Sequence, residues 1–190
     1  MAIITISRQL GSLGDEVALA LQRKLNYRIV NREIINQAAQ RARKPEIALA
    51  TIDDLGLFGL QPDIKSRLAY NQAVSDIMEE ITRRGNTIII GRAGQIILRG
   101  RAGVFHAMVI APAWLRAERI SKALGISLDS ALAQIKASDQ SRRKYLKRNY
   151  GVAWDDPELY DLILNTERFN PEQAASLICH ALEQIEMSVS

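Results

Sequence analysis

The chain has 190 residues, 47 % apolar and 24 % charged, with 25 Lys+Arg against 21 Asp+Glu for a net charge of +4. That balance excludes a disordered chain and leaves ample length for one domain with a real core. One cysteine, Cys179, excludes an internal disulfide framework, and with only two histidines a structural zinc site is a poor fit.

In chain order, Ile3 to Ile6 is a β-branched run that reads as a strand, ended by a loop with Gly11 and Gly14. From Asp15 the apolar residues switch to helical spacing, with Val17, Leu21 and Leu25 flanked by Ala18 and Ala20. Arg28–Val30 reads as a second strand, and Asn31 as the cap of a helix carrying Ile34, Ile35 and Ala38. Lys44 to Lys65, with Pro45, Pro62, Asp53–Asp54 and the apolar run Leu55–Leu60, reads as short helical pieces between turns, the run packing as satellite core or else offering a contact surface. Leu68, Ala73, Ile77, Met78 and Ile81 make an amphipathic helix that stops near Gly85.

Thr87–Ile90 is apolar on both faces, the pattern of a central parallel strand covered by helices on each side. Val104–Ala111 is a further strand, and Pro112 opens a helix that closes at Gly125. Ser127 caps the next helix, with Leu128, Leu132 and Ile135 expected on its buried face. Leu162–Leu164 is the fifth strand. Asn170-Pro171-Glu172-Gln173 has the form of a capped helix start, followed by an apolar face of Ala174, Leu177, Ile178, Ala181, Leu182 and Ile185. Strand, loop and helix repeat without hairpins, which predicts a doubly wound α/β domain.

The net charge is not spread evenly. Lys136, Arg142, Arg143, Lys144, Lys147 and Arg148 share the segment 136–148 with a single acid, Asp139, so that segment carries +5 and the remaining 177 residues sum to −1. Several cations gathered in one place suit a ligand with several phosphates, and arginines bind phosphate bidentately. They also fit a nucleic-acid patch, with Tyr145 and Tyr150 as stacking partners, or simply a solvated helix face.

In open parallel sheets, ligands bind beyond the carboxyl ends of the strands. Ser7 to Glu16 lies there, and a glycine-containing turn into a helix presents backbone N–H groups and a helix dipole to an anion. As a bare motif it departs from G-x-x-x-x-G-K-[ST]. Aligned on Gly14, it has Gln9 at the first glycine, Asp15 at the lysine and Glu16 at the hydroxyl residue. Arg8 is the cation that stands in the loop. A second candidate loop, Gly91-Arg92-Ala93-Gly94, leaves the most apolar strand, and Arg116 and Arg119 stand three apart on the helix after Pro112.

The runs ITISRQLGSLGDEVALALQRKLNYRIVNREII, IIIGRAGQIILR, VFHAMVIAP with LRAERI, DQSRRKYLKRNYG and YDLILNTERFNPEQA resemble the cytidylate kinase-like proteins, a branch of the P-loop nucleoside monophosphate kinases. The five blocks occur in the family's order across nearly the whole chain, apart from residues about 44–70. The resemblance implies a three-layer P-loop kinase-like domain over residues 1–190: a five-stranded parallel sheet with helices on both faces. It also implies a helical monophosphate-binding insertion at about 32–84 and a basic helical lid at about 126–151. It implies an enzyme moving a phosphoryl group from ATP to CMP, dCMP or a related acceptor.

Carried over by position, Gly11, Ser12, Leu13, Gly14, Asp15 and Glu16 would cradle the nucleotide phosphates, and Glu16 would ligate Mg²⁺. Arg92 would hold the acceptor phosphate. Arg116 or Arg119, and Arg142 or Arg143 in the lid, would neutralise charge on the transferred group, and Asp139 would orient the lid arginines. The sequence departs from the family pattern at Asp15, where the cytidylate kinases carry lysine, at Ala93, where an acid follows Gly-Arg, and at Asn31. A second reading therefore stands beside the first: a degenerate P-loop protein that binds nucleotide or anion as a regulatory or scaffold module.

No apolar run approaches the roughly 18–20 residues of a membrane span. MAIITISRQ lacks the basic leader and long apolar region of a secretory signal. The expectation is a cytoplasmic protein with no membrane partner; self-association is left open.

Overall fold

The computed structural model describes residues 2–31 and 64–188. The expected helix after Asn31 and the run Leu55–Leu60 lie outside the described residues. The strands are β1 (Ile3–Arg8), β2 (Arg28–Val30), β3 (Thr87–Ile90), β4 (Val104–Ile110) and β5 (Leu162–Asn165). The helices are α1 (Gly14–Leu25), α2 (Ile64–Arg84), α3 (Gly94–Ile97), α4 (Ala113–Leu124), α5 (Leu128–Tyr150) and α6 (Pro171–Ser188). All five strands are parallel, in the order β2-β3-β1-β4-β5. The expected parallel α/β sheet is therefore present, with β1 at its centre.

The period-2 alternation of the strands sorts side chains onto two cores. Ile4, Ile6, Phe105, Ala107 and Val109 face Val17, Ala18 and Leu21 of α1 and Ala174, Ala175 and Ile178 of α6. The alanines let the two helices approach closely. On the opposite face, Ile3 and Ile89 pack with Ala73, Val74, Ile77 and Met78 of α2 and with Leu98. All four residues of β3 are buried, as its apolar character on both faces requires.

The helix ends follow their capping residues. Ser127 accepts a hydrogen bond from the Ser130 N–H at 3.2 Å. Asn170 Oδ1 accepts from the Gln173 N–H at 2.9 Å while Gln173 Oε1 accepts from the Asn170 N–H at 3.0 Å, a reciprocal capping box.

Three expectations about buried faces need correction. On α5, Ile135 is buried, but Leu128 and Leu132 are 52 % and 42 % exposed. The enclosed stripe is Ala131, Ile135, Ser138, Asp139 and Leu146. On α6, Leu177 and Ile185 are exposed and Ala175 is buried in their stead; on α2, Leu68 is exposed. On α5 and α6 alanines, Ala131, Ala174 and Ala175, sit in the enclosed stripe, whereas on α2 the stripe is Ala73, Val74, Ile77 and Met78, one face away from Leu68. On α5 the stripe also includes an aspartate with its own buried partner. Moreover, the basic segment is no separate element: α5 runs unbroken through it to Tyr150.

His106 sits on β4 in the face opposite α1. Its Nδ1 is 2.7 Å from Thr5 Oγ1, and its backbone N–H donates to Asp161 Oδ2 at 2.7 Å. Burial holds its pKa below 6.5, against the raising effects of the Asp161 carboxylate and of a bond to the Leu98 carbonyl. A depressed folded-state pKa means this contribution is complete above pH 6.5 and is lost as pH falls below it, because the unfolded chain takes up the proton more readily. Urea midpoints should therefore fall between about pH 7 and pH 5. His106→Asn, which still offers Thr5 an acceptor but does not titrate, should flatten that slope; an unchanged slope would show that other groups cause it.

Candidate functional site

The residues singled out from the sequence gather at the carboxyl ends of β1, β3 and β4. Between β1 and α1, Gly11 and Leu13 adopt left-handed backbone, at φ 79° and 62°. Gly11 has no room for a side chain, since a Cβ there would lie 2.9 Å from the Arg116 carbonyl oxygen. Gln9 ties the loop to β4: its N–H donates to the Val109 carbonyl and its Oε1 accepts from the Ala111 N–H at 3.0 Å. Gln9 therefore does not need the freedom of the glycine that the usual pattern places there. Ser12, fully enclosed, donates to the Gln9 carbonyl at 2.9 Å. The start of α1 has no side-chain cap, so its first N–H groups face the loop without an intrahelical acceptor.

Arg8 spans this loop. Its Nε donates to Asp15 Oδ1 at 3.2 Å, in the first turn of α1. Its Cβ and Cγ lie where a Cβ on Gly14 would clash, at 2.4 and 2.8 Å, and its Nη1 is 2.7 Å from the place of a Cβ on Gly91. Gly14 and Gly91 are thus the residues over which the Arg8 side chain passes. The acid at the lysine position carries its own cation, Arg8.

β3 lies beside β1, and the loop leaving it is conformationally strained. Gly91, Arg92 and Ala93 are all left-handed, at φ 72°, 59° and 56°. Two consecutive non-glycine residues in that region cost on the order of 1–3 kcal/mol each. The loop is fastened by the Gly91 N–H to the Ile6 carbonyl and by the Gly94 N–H to the Gly91 carbonyl.

Arg116 and Arg119 have different surroundings. Arg116 is 4 % exposed. Its Nη2 and Nη1 donate to Asp139 Oδ2 and Oδ1 at 2.9 and 3.3 Å, its Nε to the Ala111 carbonyl at 3.0 Å, and Nη1 also to the Leu10 carbonyl at 3.2 Å. Asp139 therefore holds Arg116 through both of its carboxylate oxygens. Arg119 donates to the Gly11 carbonyl at 3.3 Å and to Thr166 Oγ1 and O at 3.0 and 2.8 Å. Burial lowers its pKa and the Glu16 carboxylate raises it; an arginine stays charged in either case. Thr166 in turn donates to the Ser12 carbonyl at 2.8 Å, joining the loop after β5 to the loop after β1.

Further along α5, Arg142 and Arg143 place their guanidinium carbons 5.8 and 5.9 Å from the ring centroid of Trp154. Arg142 donates to Ser138 Oγ, and Arg143 pairs with Asp155 at 3.5 Å. Tyr145 and Tyr150, the stacking residues of the nucleic-acid reading, pack instead against the buried cluster that contains Trp154. Arg99 and Arg101 pair with Glu158 and Glu79.

Sequence reasoning placed Ser7 in the candidate loop without a role and missed Trp154, Tyr160 and Thr166. Trp154 Nε1 donates to Ser7 Oγ at 2.9 Å, and Tyr160 Oη to the Trp154 carbonyl at 2.7 Å. Burial raises the Tyr160 pKa, which keeps its hydroxyl protonated as a donor. The Trp154 and Thr166 bonds join residues 147 and 154 positions apart, a distance no local spacing can signal.

The backbone of the 11–14 loop and the uncapped start of α1 fit a phosphate group. Among the described residues no group of three or more His, Cys, Asp or Glu could hold a metal ion. A nucleotide-borne Mg²⁺ needs only one or two carboxylates beside the phosphates, and Asp15 and Glu16, both exposed in the first turn of α1, supply that type of ligand.

The buried pair generates its own expectation. Arg116→Met leaves Asp139 charged and enclosed and should cost about 3–5 kcal/mol in urea denaturation. Asp139→Leu added to that variant should restore part of the loss; a double variant as unstable as the sum of the singles would show the two side chains act independently.

The sequence model of the Cytidylate kinase-like family matches residues 3–168. A cytidylate kinase of Methanocaldococcus jannaschii is 30 % identical over 135 residues, 65 % of this chain and 75 % of its own. One from Ignicoccus hospitalis is 27 % identical over 94 % of this chain and 97 % of its own. The match to the Pyrococcus horikoshii cytidylate kinase, 32 % identical, spans 55 % of that enzyme's length. Among solved structures, an uncharacterized protein from Eubacterium ventriosum superposes with a TM-score of 0.75, at 20 % identity over 96 % of this chain and 98 % of its own. A gluconokinase from Sinorhizobium meliloti follows with a TM-score of 0.59, at 14 % identity over 99 % and 95 %. With its central parallel sheet, its loop over α1 and its matched length, the chain belongs to the cytidylate kinase-like family and has the fold of the P-loop kinases.

Proposed function

We propose that the protein transfers a phosphoryl group from ATP to CMP, dCMP or a related nucleoside monophosphate. The observation that carries this reading is the meeting of two anion-type loops at the ends of adjacent strands, with Arg8 passing over Gly14 of one and Gly91 of the other. An acceptor phosphate held by Arg92 would then lie beside a donor phosphate held by the 11–14 loop.

The reaction asks for this kind of site. An oxygen of the acceptor phosphate bonds to the terminal phosphorus of ATP, the bridging bond breaks, and ADP leaves with the electron pair. The transition state spreads negative charge over several oxygens, so the protein's task is alignment and cationic stabilisation. Backbone N–H groups at the start of α1 would bind the donor phosphates. Arg8, Arg142 and Arg143 would supply charge, the last two from the basic half of α5, which would serve as the lid. Residues 32–84 would serve as the acceptor side. Arg116 and Asp139 act in this scheme as positioning residues, holding Leu10 and α4, and Arg119 holds the Gly11 carbonyl. Mg²⁺ bound with ATP would neutralise phosphate charge, with Glu16 and Asp15 as its candidate carboxylates.

A coupled assay of ADP release with ATP, Mg²⁺ and CMP or dCMP tests the reading; turnover must depend on the acceptor. Arg92→Ala should raise the acceptor KM by about tenfold or more, the worth of a charge-assisted contact, while ATP affinity changes little. Equal loss for both ligands would remove Arg92 from the acceptor side.

The Arg8–Asp15 pair favours one second reading, a module that binds nucleotide without turning it over, since Asp15 occupies the cation that stands in the loop itself. That reading expects tight ATP binding by calorimetry with no acceptor-stimulated ADP release, and Asp15→Lys switching turnover on. Acceptor-stimulated release by the unmodified protein excludes it.

A further inference from the structure

Trp154 heads the fully buried side chains by volume. It stands in the turn after α5, outside every loop given a role above, yet it connects two of them with the basic half of α5. Its indole N–H donates to Ser7, which is 6 % exposed and directly precedes Arg8. Its ring carries the guanidiniums of Arg142 and Arg143. It shares a buried cluster with Ala93, the neighbour of Arg92, and with Met108 and Leu146. Its own backbone is held by Tyr160, whose hydroxyl accepts from Gln95 Nε2 at 3.4 Å.

An ordinary core tryptophan needs only apolar neighbours and some acceptor for its N–H. Trp154 differs in both respects. Its acceptor is the hydroxyl at the root of the phosphate-type loop, 147 residues away. Its ring also faces two adjacent cations. An aromatic face attracts a guanidinium without cancelling its charge, so it can hold two arginines that would otherwise repel each other. We propose that Trp154 is a positioning residue: its bond to Ser7 sets the ring relative to β1, and the ring sets Arg142 and Arg143 relative to the loop between β1 and α1. This inference rests on the phosphoryl-transfer reading and adds a residue that the reading does not require.

The test compares the unmodified protein with Ser7→Ala, Trp154→Phe and the double variant, in steady-state kinetics with ATP, Mg²⁺ and CMP. Phenylalanine retains a ring for the arginines but has no N–H to donate. Each single variant should lower kcat by about fivefold, the worth of one hydrogen bond, with both KM values nearly unchanged. The double variant should be no slower than the singles, because all three lack the same bond. A second readout uses Trp114→Phe, which leaves Trp154 as the sole tryptophan of the two in the chain. Its emission should shift when ATP and CMP are added together. Unchanged kcat in the variants, additive losses in the double variant, or unmoved emission in a protein that turns over would each overturn the proposal. Should Trp154→Phe fail to fold, Ser7→Ala and the emission measurement decide alone. An unmodified protein that neither binds nor turns over nucleotide is a separate result, which overturns the phosphoryl-transfer reading and this inference with it.

Discussion

An arginine can be buried only where enough acceptors meet it, and the partners of Arg116 settle where three parts of the molecule lie. The Asp139 carboxylate brings α5 to α4, the Ala111 carbonyl ties α4 to the end of β4, and the Leu10 carbonyl ties it to the loop before α1. Removing any of these leaves a desolvated charge or an unpaired donor. The basic helix is consequently docked at its middle, and the arginines beyond Asp139 extend from that anchor toward the ends of β1 and β3.

The same economy of partners explains the odd composition of the phosphate-type loop. A lysine after Gly14 would need an anion to approach it, whereas Asp15 already has Arg8. The glycines at 14 and 91 make way for the Arg8 side chain. Strain is confined to the neighbouring loop, where Arg92 and Ala93 are held left-handed by hydrogen bonds to Ile6 and within the turn. Strained backbone of this kind persists where surrounding structure over-determines it, and here the surroundings are the buried sheet on one side and the Trp154 cluster on the other.

Much of the fold was legible in the chain. Local rules place β2 at Arg28–Val30 and β3 at Thr87–Ile90, the Ser127 cap and the Asn170 capping box, because each depends on residues within a few positions of one another. The buried face of α5 was not legible. Leu128 and Leu132 look like core residues, yet they are exposed while Ala131 and Asp139 are enclosed. Size and apolarity alone cannot tell which face a neighbouring helix will cover.

For the candidate site the division follows the same line. Composition and local pattern supply the inventory: a glycine-containing turn into α1, a Gly-Arg turn after the most apolar strand, and a +5 segment that accounts for the entire net charge. The pairing comes from the packing of distant segments. That packing gives Arg116 to Asp139 and Arg119 to Thr166, and folds the ring of Trp154 back onto Arg142 and Arg143, while Arg8 meets Asp15 across the turn between β1 and α1. The physical reason is range. Capping and periodicity act between residues a few positions apart, whereas a charge takes the partner that parallel strand order and helix packing bring within about 3–4 Å, from a distant part of the chain.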